Sequence, residues 1–218
     1  MPLVGGSVAG VRGKFVVDLG DRSSLTLFGP FWRKHHLDGT LSPGIEALTG
    51  FGVGGPIKGI VVRVPQFVFG PAKTRGVVAR LSLQAKGGFA DPRIAGSIGT
   101  GVLKHFHTFI DYAHNRFLLL PRPQVADRYD RGGLWLGRHG AQFEVYDVIA
   151  GGPADVAGLK VGDIVTEIDR RPVRTLDLFK IREQLRDPTF DEPMLIDYQR
   201  NGRGGQATLR PRDLLPGG

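Results

Sequence analysis

The sequence predicts a mainly β fold in two units, the first built of strands and turns, the second of strands with one long helix. Three observations predict it. Gly (33) and Pro (15) are abundant among the 218 residues, which suits short strands joined by tight turns. Short runs rich in Val, Ile and Phe recur between these breakers. Pro121-Arg122-Pro123 and the polar stretch to Arg131 interrupt the pattern, and the chain is long enough for two ordinary domains. The expected boundaries are 1–121 for the first unit, 122–131 for a linker and 132–215 for the second.

In the first unit, residues 11–18 read as a strand and Asp18-Leu19-Gly20-Asp21 as a turn. Ser23 to Phe28 alternates polar and apolar side chains, as a half-buried strand does. Pro30 to Leu37 suits a short helix with proline near its start, and residues 38–50 read as loop. Pro56 to Gly70 supports one or two strands and Arg75 to Leu83 another. Ala95 to Phe106 combines a Gly-rich turn with a short helix, and residues 107–111 and 116–120 outline a hairpin.

In the second unit, Leu134–Leu136, Phe143–Ile149 and Ile164–Ile168 read as strands. Thr175 to Arg186 is the clearest helix, with Leu178, Ile181 and Leu185 on one face and Asp187-Pro188 as its stop. Met194–Arg200 and Gln206–Arg210 pair around Asn201-Gly202, a strong hairpin signal.

Composition removes several function classes. The net charge of +8 comes from 21 Arg and 8 Lys, scattered rather than clustered, a pattern of solvated basic surface and not of a nucleic-acid groove. The absence of cysteine excludes disulfides, thiolate nucleophiles and Cys-ligated zinc. No run approaches the ~18 apolar residues of a membrane helix. The opening Met1-Pro2-Leu3-Val4-Gly5-Gly6 lacks the charged start and apolar stretch of a signal peptide.

The densest motif is Gly151-Gly152-Pro153-Ala154-Asp155-Val156-Ala157-Gly158-Leu159-Lys160-Val161-Gly162-Asp163-Ile164-Val165. A Gly-Gly-Pro turn leads into one helical turn with proline at a first position, and Gly158 ends it. Leu159 and Val161 are expected to bury, and Gly162-Asp163 turns into the next strand. This pattern resembles the core signature of bacterial-type PDZ domains, which add an extended peptide as a strand to a sheet edge beside a helix. The resemblance implies a carboxylate-holding loop at Gly132-Gly133-Leu134-Trp135-Leu136-Gly137, with Trp135 where glycine is common. It also implies peptide-binding positions Gly133, Leu134, Trp135, Leu136, Leu178 and Ile181, whose apolar members are equally suited to core. Arg138 is placed to attract a peptide carboxylate or to face water.

Upstream, Phe15-Val16-Val17-Asp18-Leu19-Gly20-Asp21-Arg22-Ser23-Ser24-Leu25 leads an apolar strand into an aspartate, a glycine and a second strand. Phe51-Gly52-Val53-Gly54-Gly55 is a Gly-rich tip, and Ile94 to Phe106 is an apolar–Gly element followed by a helix. In order and spacing, residues 8–121 resemble one lobe of the bacterial aspartyl proteases (a single retropepsin- or pepsin-like lobe). That resemblance implies Asp18 as catalytic carboxylate, Leu19, Gly20 and Asp21 as active-site loop, and Gly52, Val53, Gly54 and Gly55 as a substrate-covering flap. Such enzymes pair two carboxylates around one water, one acting as general base. A single lobe therefore implies a homodimer or a second lobe. Two positions depart from the family. Leu19 stands where a Thr or Ser hydroxyl bonds across to the partner loop, which leucine cannot do. Asp21 stands where a small residue is usual, and a second carboxylate would favour protonated Asp18 unless Arg22 neutralises it. Asp18 is thus open to three readings: a working catalytic group, a weakened one, or a turn aspartate at a strand end.

Other signals are set aside. Gly50-x-Gly52-x-x-Gly55 has dinucleotide-binding spacing, but Pro56 and a β-rich run follow it instead of a helix. His105 and His107 have no carboxylate pattern beyond Asp111 to complete a metal site and are expected at the surface. The fold class is therefore a mainly β acid-protease-like lobe followed by an α+β PDZ domain. The implied function is aspartic-type peptide-bond hydrolysis of peptide or unfolded protein, with PDZ-mediated recognition and no cofactor or metal. The alternative is a catalytically inactive pseudo-protease that binds protein C-termini or internal peptides as an adaptor. The resemblance implies a periplasmic or envelope setting, and the start without a signal peptide leaves the cytoplasm open.

Overall fold

The structure is a computed structural model and describes residues 2–41, 43–52, 55–123 and 125–215. The chain forms two units, one running to Asp127 and including Leu215, the other spanning Arg128–Leu214.

The first unit is a seven-stranded sheet. Its strands are Leu3–Val8 (β1), Val11–Val17 (β2), Leu25–Leu27 (β3), Ile45–Gly52 (β4), Gly55–Phe69 (β5), Ala72–Ser82 (β6) and Gly96–Ile98 (β7), in the order β1-β2-β7-β3-β6-β5-β4. β1 also pairs β5, from Gly6↔Phe69 to Val8↔Phe67, which curls the sheet into a barrel-like layer. Most neighbours are antiparallel, but β2 runs parallel to β7 and β3 parallel to β6. Short helices Gly29–Lys34 (α1), Leu37–Thr40 (α2) and Thr100–Leu103 (α3) sit between strands, and Phe106–Asp111 (β8) and Arg116–Pro121 (β9) form a separate hairpin. The core centres on aromatic rings: Phe15 meets Phe67 edge-on at 5.1 Å, and Phe67 stacks on Phe69 at 5.2 Å.

Two strands differ from the sequence expectation. β3 is buried at every position instead of at alternate ones: Leu25 and Leu27 belong to the core, and Thr26 on the other face is covered by Arg80, which donates to its Oγ1. Residues 45–50, expected as loop, form most of β4 by pairing along β5 from Ile45↔Val61 to Gly52↔Gly55. A strand with weak local alternation is fixed there by its partner.

The second unit contains Leu134–His139 (β10), Gln142–Val148 (β11), Pro153–Val156 (α4), Ile164–Ile168 (β12), Arg171–Pro172 (β13), Leu178–Gln184 (α5), Met194–Arg200 (β14) and Arg203–Leu209 (β15). The sheet order is β10-β11-β12-β14-β15, with β13 beside β12 and β10 at an edge. Its core is separate and includes Leu136, Phe143, Val165, Ile168 and Leu185. α5 is shorter than the sequence suggests: Asp177 caps it by accepting from Phe179 N at 2.8 Å, which starts the helix at Leu178. The signature folds as expected at α4, and Gly158 takes φ +83°, the left-handed conformation of a helix C-cap. Leu159 is buried, whereas Val161 is 63% exposed, a correction to the expectation that both bury. The turn at Lys160–Gly162 directs Leu159 alone into the core.

Within the stretch expected as a linker, Asp127 and Arg131 are each hydrogen-bonded into their own unit. Arg63 Nη1 donates to Asp127 O at 3.0 Å and Val78 N to Asp127 Oδ2 at 2.9 Å within the first unit. Within the second, Arg131 donates to Asp213 and Asp191, each at 2.7 Å, and to the carbonyls of Asp187 and Phe190.

Candidate functional sites

In the first unit, the Asp18 loop is fastened to the start of α3. Asp18 N donates to Ile98 O (2.9 Å), Gly99 N to Ser24 O (3.0 Å), Gly101 N to Ser23 O (3.0 Å) and Thr100 N to Asp21 O (2.8 Å). The interlock requires glycine at close range: a Cβ on Gly99 would lie 2.1 Å from Ser23 O. Asp18 is half-buried at the end of β2, and its Oδ1 accepts from Gly20 N at 2.9 Å. Leu19 is 58% exposed beside it, so its side chain faces solvent.

Asp21 stands at the other end of the same loop. Its carboxylate is half-buried and paired with Arg80 of β6, whose Nη2 lies 3.0 Å from Oδ1 and 2.8 Å from Oδ2. Ser23 N and Ser23 Oγ also donate to it, at 2.9 and 2.7 Å. Arg80 further donates to Thr26 Oγ1 and to Thr49 O. Arg80, which pairs with Asp21 from 59 positions downstream, is a partner that no local pattern marks. This network ties β3, β4 and β6 to the loop and commits Asp21 to structure.

Gly52 and Gly55 face each other at the end of the β4–β5 hairpin; Val53 and Gly54 lie outside the described residues. Phe51 beside them is exposed. His105 is buried, a correction to its expected surface position: its Nδ1 accepts from Val125 N at 3.4 Å, and burial pushes the imidazole below its ordinary range. His107 is exposed on β8. Among the described residues, no group of three or more His, Asp or Glu side chains is placed to hold a metal ion, and no helix is long and apolar enough to cross a membrane.

In the second unit, edge strand β10 lies against α5. Leu134, Leu136, Leu178 and Ile181 are all buried in one cluster, so without a ligand these four are core. Trp135 is half-buried, and the β10–β11 register slips between Trp135 and Leu136, a bulge that re-aims the strand. Gly133 takes φ +71°, a conformation open to glycine at little cost. Its N–H donates to Asp130 Oδ1 at 2.6 Å, and Leu134 N reaches the same oxygen at 3.4 Å. The first amides of the expected carboxylate-holding loop are therefore taken by a carboxylate of the chain itself. Arg138 is exposed, its guanidinium 5.4 Å from the centre of the Phe143 ring.

Residues 144–200 match the PDZ domain family. The second unit carries a PDZ domain. The match begins in β11 and ends with β14. No curated protein matches the chain. Among solved structures, the HtrA3 PDZ domain bound to a phage-derived ligand (FGRWV) is 18% identical over 39% of this chain and 85% of that one, with a TM-score of 0.32. A photosystem II D1 C-terminal processing protease is 23% identical over 40% of this chain, with a TM-score of 0.32, and this chain spans 24% of its length. A retropepsin-like aspartic protease from Rickettsia conorii is 21% identical over 50% of this chain and 75% of that one, with a TM-score of 0.36.

Asp130 gives the PDZ domain a pH signature. Burial raises its pKa from 3.8 to about 6, against the opposing pull of the Gly133 amide and Arg186. Because the folded value lies above the unfolded one, the folded state binds the proton more tightly. The resulting stabilisation is fully present below about pH 4 and is lost as pH rises through about 6, a change of at most about 3 kcal/mol. Denaturant midpoints of the PDZ domain measured from pH 4 to 7 are expected to fall in this window. Asp130→Asn, which keeps an acceptor for Gly133 N, is expected to flatten the profile.

Proposed function

We propose that this protein recognises extended peptides through its PDZ domain, with the peptide adding as a strand to β10 beside α5. The observation that carries the reading is the edge position of β10, next to a helix, in a domain of the PDZ family. The internal capture of the loop amides by Asp130 makes backbone pairing along β10 the principal source of affinity. Backbone amide shifts recorded on addition of the pentapeptide Phe-Gly-Arg-Trp-Val or of unstructured protein test it. Shifts confined to residues 134–139 and 178–184 support it, and an unchanged β10 overturns it.

A second reading concerns the first unit: an aspartic-protease-like lobe in which Asp18 is one of two carboxylates around a water. It is favoured by the placement of Asp18 on the loop that follows β2, tied to the end of parallel strand β7 through Asp18 N and Ile98 O, with its carboxylate accessible and oriented by Gly20 N. The second carboxylate would come from a homodimer mate or another lobe. Without a hydroxyl at position 19, such a pair lacks its cross-loop hydrogen bond, so turnover is expected to be slow. Cleavage of unfolded casein at pH 4–7 should then disappear in Asp18→Asn, at least a hundredfold below the parent protein, and should scale with the fraction of associated protein. Absence of cleavage at every concentration leaves a peptide-binding adaptor, and cleavage surviving in Asp18→Asn rejects the site.

A further inference from the structure

We infer that Arg182 is a gate on the peptide groove, held shut by Leu136 and opened by a carboxylate on the incoming peptide. The inference rests on the reading of β10 as the ligand-accepting edge. Among the described residues, β11 is the one strand paired with β10, so the backbone groups on the other side of β10 are those an added strand would use. One of them is already engaged. Arg182, in the second turn of α5, donates through Nη2 to Leu136 O. The same guanidinium lies over the Trp135 ring, its carbon 5.0 Å from the ring centre. The side chain therefore reaches from helix to strand across the line a peptide would follow, and it does so at the Trp135–Leu136 bulge.

A peptide laid along β10 has to donate its own N–H to Leu136 O, and Arg182 competes for that acceptor. A neutral peptide replaces a charge-assisted hydrogen bond with an ordinary one, which is unfavourable. A peptide bearing a carboxylate near that point offers the departing guanidinium a two-oxygen partner whose planar geometry it matches. Arg138 on β10 and Lys180 on α5 are both exposed and add positive charge to the same strand and helix. The groove thus selects acidic peptides, and the required carboxylate is either a side chain or the peptide C-terminus.

Fluorescence anisotropy of the full chain with four matched pools of labelled random decapeptides tests the gate. The pools carry one Glu or one Gln, each with a free or an amidated C-terminus. The parent protein is expected to bind the carboxylate-bearing pools about tenfold more tightly than the amidated Gln pool. Arg182→Ala is expected to erase that preference and to bind the amidated Gln pool more tightly than the parent does, a gain that loss of a simple ion pair would not produce. Arg182→Gln, which keeps a neutral donor for Leu136 O, should erase the preference as well and serves if the alanine variant does not fold. Preference for Glu assigns a side chain, and preference for the free acid assigns the terminus. Equal affinities across pools in the parent, or a preference unchanged in both variants, overturn the gate. Failure of every pool to bind both the parent and a folded variant overturns the peptide-binding reading instead.

Discussion

Gly99→Ala is expected to unfold the first unit while leaving the PDZ domain intact. An alanine Cβ there would sit 2.1 Å from Ser23 O and 2.6 Å from Asp21 O. Both are backbone atoms of the Asp18 loop, so no side chain can rotate away. Relief requires opening the interlock in which Gly99 N, Thr100 N and Gly101 N donate to Ser24, Asp21 and Ser23 carbonyls. A loss of about 4 kcal/mol or more follows from overpacking combined with broken buried hydrogen bonds. Gly39→Ala is the control: a Cβ there meets nothing within 4 Å, and alanine in α2 is expected to be neutral or mildly stabilising. Thermal unfolding followed by amide resonances of each unit separates the outcomes. A Gly99→Ala protein that keeps first-unit resonances at the parent's melting temperature would show that the loop can yield. Cleavage by such a protein, if the parent cleaves, would also show that the Asp18 geometry is not fixed by this contact.

The second large effect is expected at Asp163, inside the PDZ signature. Its side chain is fully buried, accepting from Arg200 Nε and Nη2, each at 2.7 Å, and from Lys160 N at 2.8 Å. Arg200 also donates to Gly158 O and rests over the Tyr198 ring. Asp163 thus clamps the turn after α4 to β14. Asp163→Ala removes the carboxylate and leaves the guanidinium and the Lys160 amide without it, at a cost of about 3–5 kcal/mol. Asp163→Asn keeps the shape and one acceptor and should cost less than half as much. Denaturant unfolding of both variants orders them, and equal stabilities would show that the charge contributes nothing here.

Neither effect depends on catalysis, yet both bear on function. The first concerns the frame that holds Asp18, the second the frame that holds α4 and, through it, the Gly132–Gly133 turn, since Ala154 N donates to Gly132 O at 3.0 Å. In each unit the candidate site is a short loop fixed by backbone hydrogen bonds from a neighbouring helical turn.

The legible parts of the sequence were those whose cause is local. The Gly-Gly-Pro turn, the left-handed Gly158, the Asn201-Gly202 hairpin and the apolar face of Leu178, Ile181 and Leu185 are dictated within a few residues by steric freedom, ring closure and helical period. From them the PDZ domain and its order of elements follow, as does the mainly β character of the first unit. Only the tertiary structure decided what depends on distant partners. β4 is a strand because β5 is there to pair with it. Arg80 pairs with Asp21 across 59 residues, and Arg182 reaches Leu136 across 46. Val161 turns outward while Leu159 turns in, and the Gly133 amide is spent on Asp130. Hydrogen bonds and ion pairs act over about 3 Å of space whatever the separation along the chain, so local pattern specifies the elements, and folding alone specifies which charged side chains meet at the sites.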